Sequence, residues 1–313
     1  MSKNKIYGLT VRQWTALLVV VIGLIVFGCR ACYNFVSDRT SNNVNNANVV
    51  VESNQTNKKP SRPTQNPSSS LTVEQATEIY LRLGNPSGAN NSDPNNLLMV
   101  KPYYALSYNR SRGTANWVSW RVTQADIGNV ERANDFRPDP NLPSGFPRVT
   151  PSDYTGSGFD RGHLVPSKDR SNTPEANSAT FFMSNIVPQE PDSNQGVWKS
   201  LEDESRRLVE QGNEIYVAAG ITGERGRVKN KVAIPASMWK IIVVLPNGAD
   251  VSEISANTRI IAVDIPNAKG VRNDDWRKYR TTIRQIEQKT GYNLLSGLPP
   301  NVQDAIETKM DSR

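Results

Sequence analysis

A chain of 313 residues contains one histidine, His163, inside the stretch GFDRGHLVPSKDRS that runs from residue 158 to 171. A single imidazole excludes metal sites built from several histidines. A neutral imidazole can serve as a general base near pH 7. Its neighbours supply other chemistry. Arg161 is a permanent, planar cation whose donors match phosphate oxygens. Gly162 permits close backbone approach or an unusual dihedral angle. Asp160 can orient a neighbour or form an ion pair. A Ser-His-Asp triad stays formally open, although no G-x-S-x-G elbow occurs. By itself the tetrad DRGH equally fits a loop with an exposed histidine.

A second set of residues lies 31 to 43 positions downstream. Asn194, Trp198, Glu202 and Arg206 recur at i, i+4 steps, which on a helix drift by only about 40° each and form one slowly turning stripe. The stripe carries an amide, a carboxylate and a guanidinium beside an apolar anchor. Taken alone, it also describes a solvated helix face with a Glu202–Arg206 pair contributing a few tenths of a kcal/mol.

The two sets together carry more. Asp160-Arg161-Gly162-His163 is followed by Pro166-Ser167, Asp169-Arg170, a turn at Asn185, Pro188-Gln189 and Asn194-x-x-x-Trp198-x-x-Leu201-Glu202. With Tyr108-Asn109, Trp239-Lys240 and Thr290-Gly291, this pattern resembles the DNA/RNA non-specific endonucleases of the ββα-metal (His-Me finger) superfamily, over about residues 100 to 295. The resemblance implies an α+β fold, a mixed or antiparallel sheet core carrying a ββα-metal motif. It implies metal-dependent, sugar-nonspecific hydrolysis of phosphodiester bonds in DNA and RNA.

Residue by residue, the resemblance makes His163 the base that activates water. Asn194 becomes the protein ligand of a divalent metal, Mg²⁺ with Mn²⁺ as the alternative, and Glu202 the carboxylate that supports the hydrated ion. Arg161, Arg132 and Arg206 bind phosphate or stabilise developing charge, and Asp160 is a supporting residue. Lys168 departs from the pattern, since relatives often have a small residue there. Such a site suits the reaction, which needs a base for water, a Lewis acid for the leaving oxygen and cations for the charge that develops. Mg²⁺ prefers oxygen ligands and keeps several waters, so one amide oxygen from the protein suffices. Asn194 and Glu202 would stand about 12 Å apart along a regular helix, too far to share one ion directly. Either Glu202 acts through metal-bound water, or Asn194 sits just before the helix. Cleavage blind to base identity is expected too, because phosphate contacts carry no direct sequence information.

The remaining composition bounds the partners and the address. A net charge of +7 favours polyanions such as nucleic acid or anionic lipid. A competing reading is a non-catalytic basic envelope protein that captures extracellular nucleic acid; capture needs none of His163, Asn194 and Glu202. The resemblance leaves room for an inhibitor protein as a further partner. Both cysteines, Cys29 and Cys32, precede residue 70, so the chain beyond residue 70 needs neither a disulfide nor a thiolate metal site. Residues 13–29 are uncharged and flanked by Arg12 and Arg30. As a helix they would span about 26 Å, just short of the ~30 Å hydrocarbon core. The basic excess before them predicts a cytoplasmic N-terminus and a catalytic domain that is membrane-anchored outside or secreted after cleavage. A signal anchor, a cleaved signal peptide and a lipid-modified Cys29 all remain open. The expected organisation is 1–36 as anchor or signal peptide, 37–70 as a disordered Asn/Ser/Pro-rich linker with too little apolar surface to fold, and 71–313 as the nuclease domain.

Elements must then position the chemistry. Thr72-x-x-Gln75 predicts a capping box opening a short helix. Strands are expected at 103–109, 117–122, 214–219, 233–245 and 259–265, with a short apolar strand or turn at 180–187. Apolar Val197, Trp198, Leu201, Leu208 and Val209 predict a helix from about 194 to 211, and a second helix is expected over 274–290, stopped at Gly291. Residues 134–154, rich in Pro and Asp, read as irregular.

Overall fold

The computed structural model describes residues 71–313. The expected helix at 13–29 and the tether at 37–70 lie outside the described residues. Among the described residues no helix is long and apolar enough to cross a membrane. The expected membrane-anchored or secreted location is corrected on that finding, and no membrane partner is carried forward.

Strands apolar on both faces build the frame. Six strands pair antiparallel, in the spatial order β1 (Leu97–Lys101), β2 (Tyr104–Asn109), β3 (Thr114–Val122), β6 (Asn213–Thr222), β9 (Ser237–Pro246) and β10 (Arg259–Pro266). Because side chains alternate across a strand, β9 sends Met238 and Ile242 into one core and Trp239, Ile241 and Val243 into the other. The first core is closed by α1 (Val73–Tyr80) and α3 (Lys199–Glu210), the second by α4 (Ile283–Thr290) and α5 (Pro300–Glu307). Sheet faces buried on both sides explain why the strands read as nearly continuous apolar runs.

The site elements sit on the first face. Two short strands, β4 (Asp160–His163) and β5 (Ile186–Gln189), form an antiparallel pair in which His163 faces Ile186 and Asp160 faces Gln189. Between them lies α2 (Pro174–Ala179), and a further two-stranded pair joins β7 (Arg227–Val228) to β8 (Val232–Ala233). The antiparallel α+β architecture agrees with the expected fold class.

The capping box of α1 is formed as expected, with Thr72 and Gln75 bonding each other's backbone. Three elements differ from the sequence reading. The predicted 274–290 helix starts only at Ile283, where Thr282 and Gln285 make a capping box of the same kind, and it ends at Gly291 in the left-handed region. The 233–245 strand is broken between Ala233 and Ser237, where Pro235 cannot donate to a ladder. DRGH is a strand rather than a loop; a short strand with one charged, outward-facing arginine has no clear apolar alternation.

Candidate active site

Gly162 sets the first constraint. A Cβ there would meet the Gln189 side chain at 2.2 Å, so only glycine leaves room for the buried Gln189 side chain to lie across the β4–β5 pair. That pairing fixes the backbone on both sides of His163, and Leu164 N–H continues it by donating to Asn185 C=O at 3.0 Å.

The imidazole itself is buried and clamped by aromatic rings. Phe181 meets it edge-on, with centroids 4.8 Å apart, and Phe136 lies tilted at 5.4 Å. Each ring also carries a cation. The Arg132 guanidinium lies 4.8 Å from the Phe181 centroid, and Arg161 lies 4.3 Å from that of Phe136. Arg132 is further held by Ser167 Oγ at 2.6 Å and Asn134 Oδ1 at 2.9 Å. Burial, reinforced by Arg132 and Arg161, pushes the His163 pKa down to about 3. The imidazole is therefore neutral at pH 7, and its Nε2 has no protein partner.

This shift makes a prediction about stability. Between about pH 6.5 and 3 the unfolded chain binds a proton at residue 163 that the folded chain refuses. The contribution of His163 is thus fully present above its unfolded pKa and declines by about 1.4 kcal/mol per pH unit as pH falls through this window. Chemical denaturation from pH 7 to 4 is expected to show a steeper loss for the wild type than for His163→Asn. Parallel curves would show that the buried imidazole is not the group responsible.

The residues expected from sequence to hold a metal depart from the continuous stripe predicted for them. Residues Ser193–Trp198 form a π-helical turn, and Gly196 (φ −104°, ψ −106°) leaves helical geometry before α3 begins at Lys199. The cause is local crowding: a Cβ at Gly196 would stand 2.2 Å from the carbonyl oxygen of Arg272. Asn194 consequently precedes the regular helix, while Trp198 is buried in the core and Glu202 lies in the first turn of α3. The Asn194 amide nitrogen donates to Asp160 Oδ2 at 2.8 Å, as does Gln195 Nε2. That bond fixes which end of the Asn194 amide faces Asp160, and it leaves the carbonyl end for another partner. Arg132, Phe136, Asp160, Arg161 and Asn194 line one open cleft of about 570 Å³.

Behind the cleft lies a compensated charge cluster. Asp169, buried in the turn after His163, accepts from Arg206 Nη1 at 3.0 Å and Trp120 Nε1 at 3.1 Å. Arg206 places its other terminal nitrogen on Asp203 at 2.5 Å, so its guanidinium is occupied by carboxylates at the rear. Lys240 on β9 is buried, with its ammonium 4.1 Å from the Trp198 ring centroid. It forms no ion pair within 4 Å among the described residues. Glu202 is half-buried, and desolvation pushes its pKa up to about 7 against the pull of Lys240 and Arg206. Arg132 also feels the Glu202 charge, which ties the cluster to the cleft.

Residues 85–301 match the family model described as DNA/RNA non-specific endonuclease. The chain belongs to that family. It is a nuclease, a hydrolase acting on DNA and RNA. A protein named Nuclease from Nostoc sp. (strain PCC 7120 / SAG 25.82 / UTEX 2576) is 52% identical over 238 residues, covering 75% of this chain and 86% of that one. Nuclease from Serratia marcescens is 30% identical and covers 72% of this chain and 84% of its own. Among solved structures, one of the EndoG/EndoGI complex, titled for the mechanism of EndoG inhibition, covers 74% of this chain and 95% of its own at TM-score 0.61. At 22% identity it shows that this nuclease shares the fold.

Of the residues singled out from sequence, the nuclease fold brings Arg161, Arg132, Asp160 and Asn194 around one cleft, with His163 buried against Phe136 of its wall; Glu202 and Arg206 are absent from the lining. Lys168 is exposed in the Ser167–Arg170 turn. Sequence reasoning missed Phe136 and Phe181, and it assigned no role to Asp169 or to a buried Lys240, although both stand in the pattern it used. Phe181 sits in the apolar TFFM run, and Lys240 interrupts the strongest β pattern of the nuclease; a charge inside an otherwise apolar strand was the available clue.

Proposed function

We propose that this nuclease hydrolyses phosphodiester bonds with His163 as general base and a divalent cation held at Asn194. One observation supports the reading above the others: an oriented amide and two arginines line one cleft, and a neutral, ring-clamped imidazole packs against Phe136 in its wall. Arg132 and Arg161 would bind the phosphate from either side of the imidazole. Burial first, and then the charges of Arg132 and Arg161, depress the basicity of His163; a bound phosphate would offset the part due to the arginines. Asp160 holds the Asn194 amide in register, and Arg206 offsets Asp169 and Glu202 from behind.

The donor set fits a hard, hydrated cation. Among the described residues no group of three or more His, Cys, Asp or Glu is placed to hold a metal ion, so a dehydrated thiolate or histidine site has no basis here. One neutral amide oxygen, with the Glu202 carboxylate further back, suits an ion that keeps most of its water, Mg²⁺ before Mn²⁺. Such an ion would supply Lewis-acid stabilisation of the charge on the leaving oxygen. The nuclease domain in this reading is residues 71–313, and its substrates are both DNA and RNA, engaged through the phosphate backbone.

The test is direct. The full chain with Mg²⁺ is expected to relax, linearise and then degrade supercoiled plasmid, and to degrade ribosomal RNA under the same conditions. Retardation of plasmid on a gel with no strand breaks would favour capture without cleavage and defeat the proposed mechanism.

A further inference from the structure

Three asparagine side chains around the site are buried and bonded in the same way. Each accepts one backbone N–H through Oδ1 and donates through Nδ2 to two backbone carbonyls. Asn177 accepts from Ala133 at 2.9 Å and donates to Ser167 and Arg170 at 2.8 and 3.2 Å. Asn185 accepts from Val165 at 2.9 Å and donates to Val165 and Thr180 at 3.0 and 2.9 Å. Asn267 accepts from Glu190 at 2.7 Å and donates to Pro188 and Pro235, both at 3.0 Å. Their exposures are 2%, 0% and 0%, so water cannot replace these partners. Each amide ties down a different part of the site: the backbone beside Arg132, the backbone after His163, and the backbone before Asn194.

Asn267 stands in a special place. The β4–β5 ladder ends at Gln189, and the next N–H, that of Glu190, would otherwise be left buried without a partner. The Glu190 carbonyl accepts from Asn194 N–H at 2.9 Å, so Asn267 grips the same residue that anchors the Asn194 turn. The loop after Asn267 adds two more points of attachment. Gly270 N–H and Arg272 Nε donate to the Asp192 carboxylate at 2.8 and 3.0 Å, and the Arg272 backbone packs against Gly196.

We propose that Asn267, remote in sequence and absent from the cleft lining, is a positioning residue that sets the Asn194 amide oxygen for its cation. The inference rests on the reading that Asn194 holds a divalent metal. Its physical basis is the cost of a buried donor or acceptor left unpaired, about 1–3 kcal/mol per group. Relaxing the 188–190 backbone to recover those bonds would move Asn194 with it.

The other two asparagines serve as matched controls, since Asn→Asp at any of the three keeps the acceptor and removes both donated bonds. Mn²⁺ binding to the full chain is followed by loss of the electron paramagnetic resonance spectrum of the free aqueous ion, with thermal unfolding recorded in parallel. Asn267→Asp is expected to weaken Mn²⁺ binding at least tenfold, whereas Asn177→Asp and Asn185→Asp, though destabilised, stay within about threefold of wild type. Unchanged binding in Asn267→Asp, or weakening in all three that tracks only the loss of melting temperature, overturns the assignment. If Asn267→Asp does not accumulate folded, Asn267→Ser is judged by the same criteria. Absence of saturable Mn²⁺ binding in the wild type, or Asn194→Ala binding as the wild type does, overturns the underlying metal reading and this inference together. Metal binding that depends on Asn194 but is indifferent to Asn267 overturns the inference alone.

Discussion

Replacing His163 by Ala is expected to lower kcat for plasmid cleavage by about 10²- to 10⁴-fold, the usual contribution of a positioned general base. Affinity for the uncleaved plasmid should change little, because the two arginines proposed to bind phosphate are held by other groups: Arg132 by Ser167, Asn134 and Phe181, and Arg161 by the Phe136 ring. The substitution removes a ring from between two phenylalanines, so a melting curve belongs beside the kinetics. A folded variant that cuts at the wild-type rate would end the assignment of His163 as base. Loss of plasmid affinity in step with kcat would place the histidine in substrate binding instead.

Removing the divalent ion is expected to have an effect of similar size. Chelation by EDTA should stop cleavage, with activity returning on addition of excess Mg²⁺, since Lewis-acid stabilisation contributes several kcal/mol and each 1.4 kcal/mol is about tenfold in rate. Asn194→Ala should behave as a chelated wild type at ordinary Mg²⁺ concentrations. Asn194→Asp gives a sharper result. A carboxylate is the stronger ligand for Mg²⁺ in isolation, yet here it would lose the donated bond and face the Asp160 carboxylate, whose oxygen now lies 2.8 Å from the amide nitrogen. Two carboxylates at that distance cannot both ionise without large cost, so Asn194→Asp is expected to be impaired despite its better donor. Titrations of rate against Mg²⁺ measure this. An Asp variant saturating at lower Mg²⁺ with full kcat would mean that Asp160 does not orient residue 194.

Much of the site was legible because its residue types are scarce. A lone histidine preceded by Asp-Arg-Gly, and an Asn with a Glu eight positions later, leave few alternatives once read together. The glycine was legible for a reason that the fold makes concrete: a Cβ at Gly162 would overlap the buried Gln189 side chain. The capping boxes were equally accessible where the pattern was sought, at Thr72, and were overlooked at Thr282, where the apolar spacing of 274–290 was traced across the wrong boundary.

The features that escaped the sequence are long-range by nature. The i, i+4 stripe from Asn194 to Arg206 assumed one helix, but contact with the Arg272 backbone, far along the chain, bends it at Gly196. Arg206 has the same sequence credentials as Arg132 and Arg161, and only the pairing of Asp169 with Arg206 turns it to the back of the site. The rings around His163 come from residues 136 and 181, on either side of the motif, and Asn267 reaches the Asn194 turn from 77 positions past Glu190. The sequence by itself determined the chemistry, because functional groups are a property of residue type, and it determined the local elements, because caps and periodicity are short-range. The tertiary structure alone decided which charged groups face the cleft and which neutralise one another behind it, because burial and pairing depend on neighbours that the linear order does not specify.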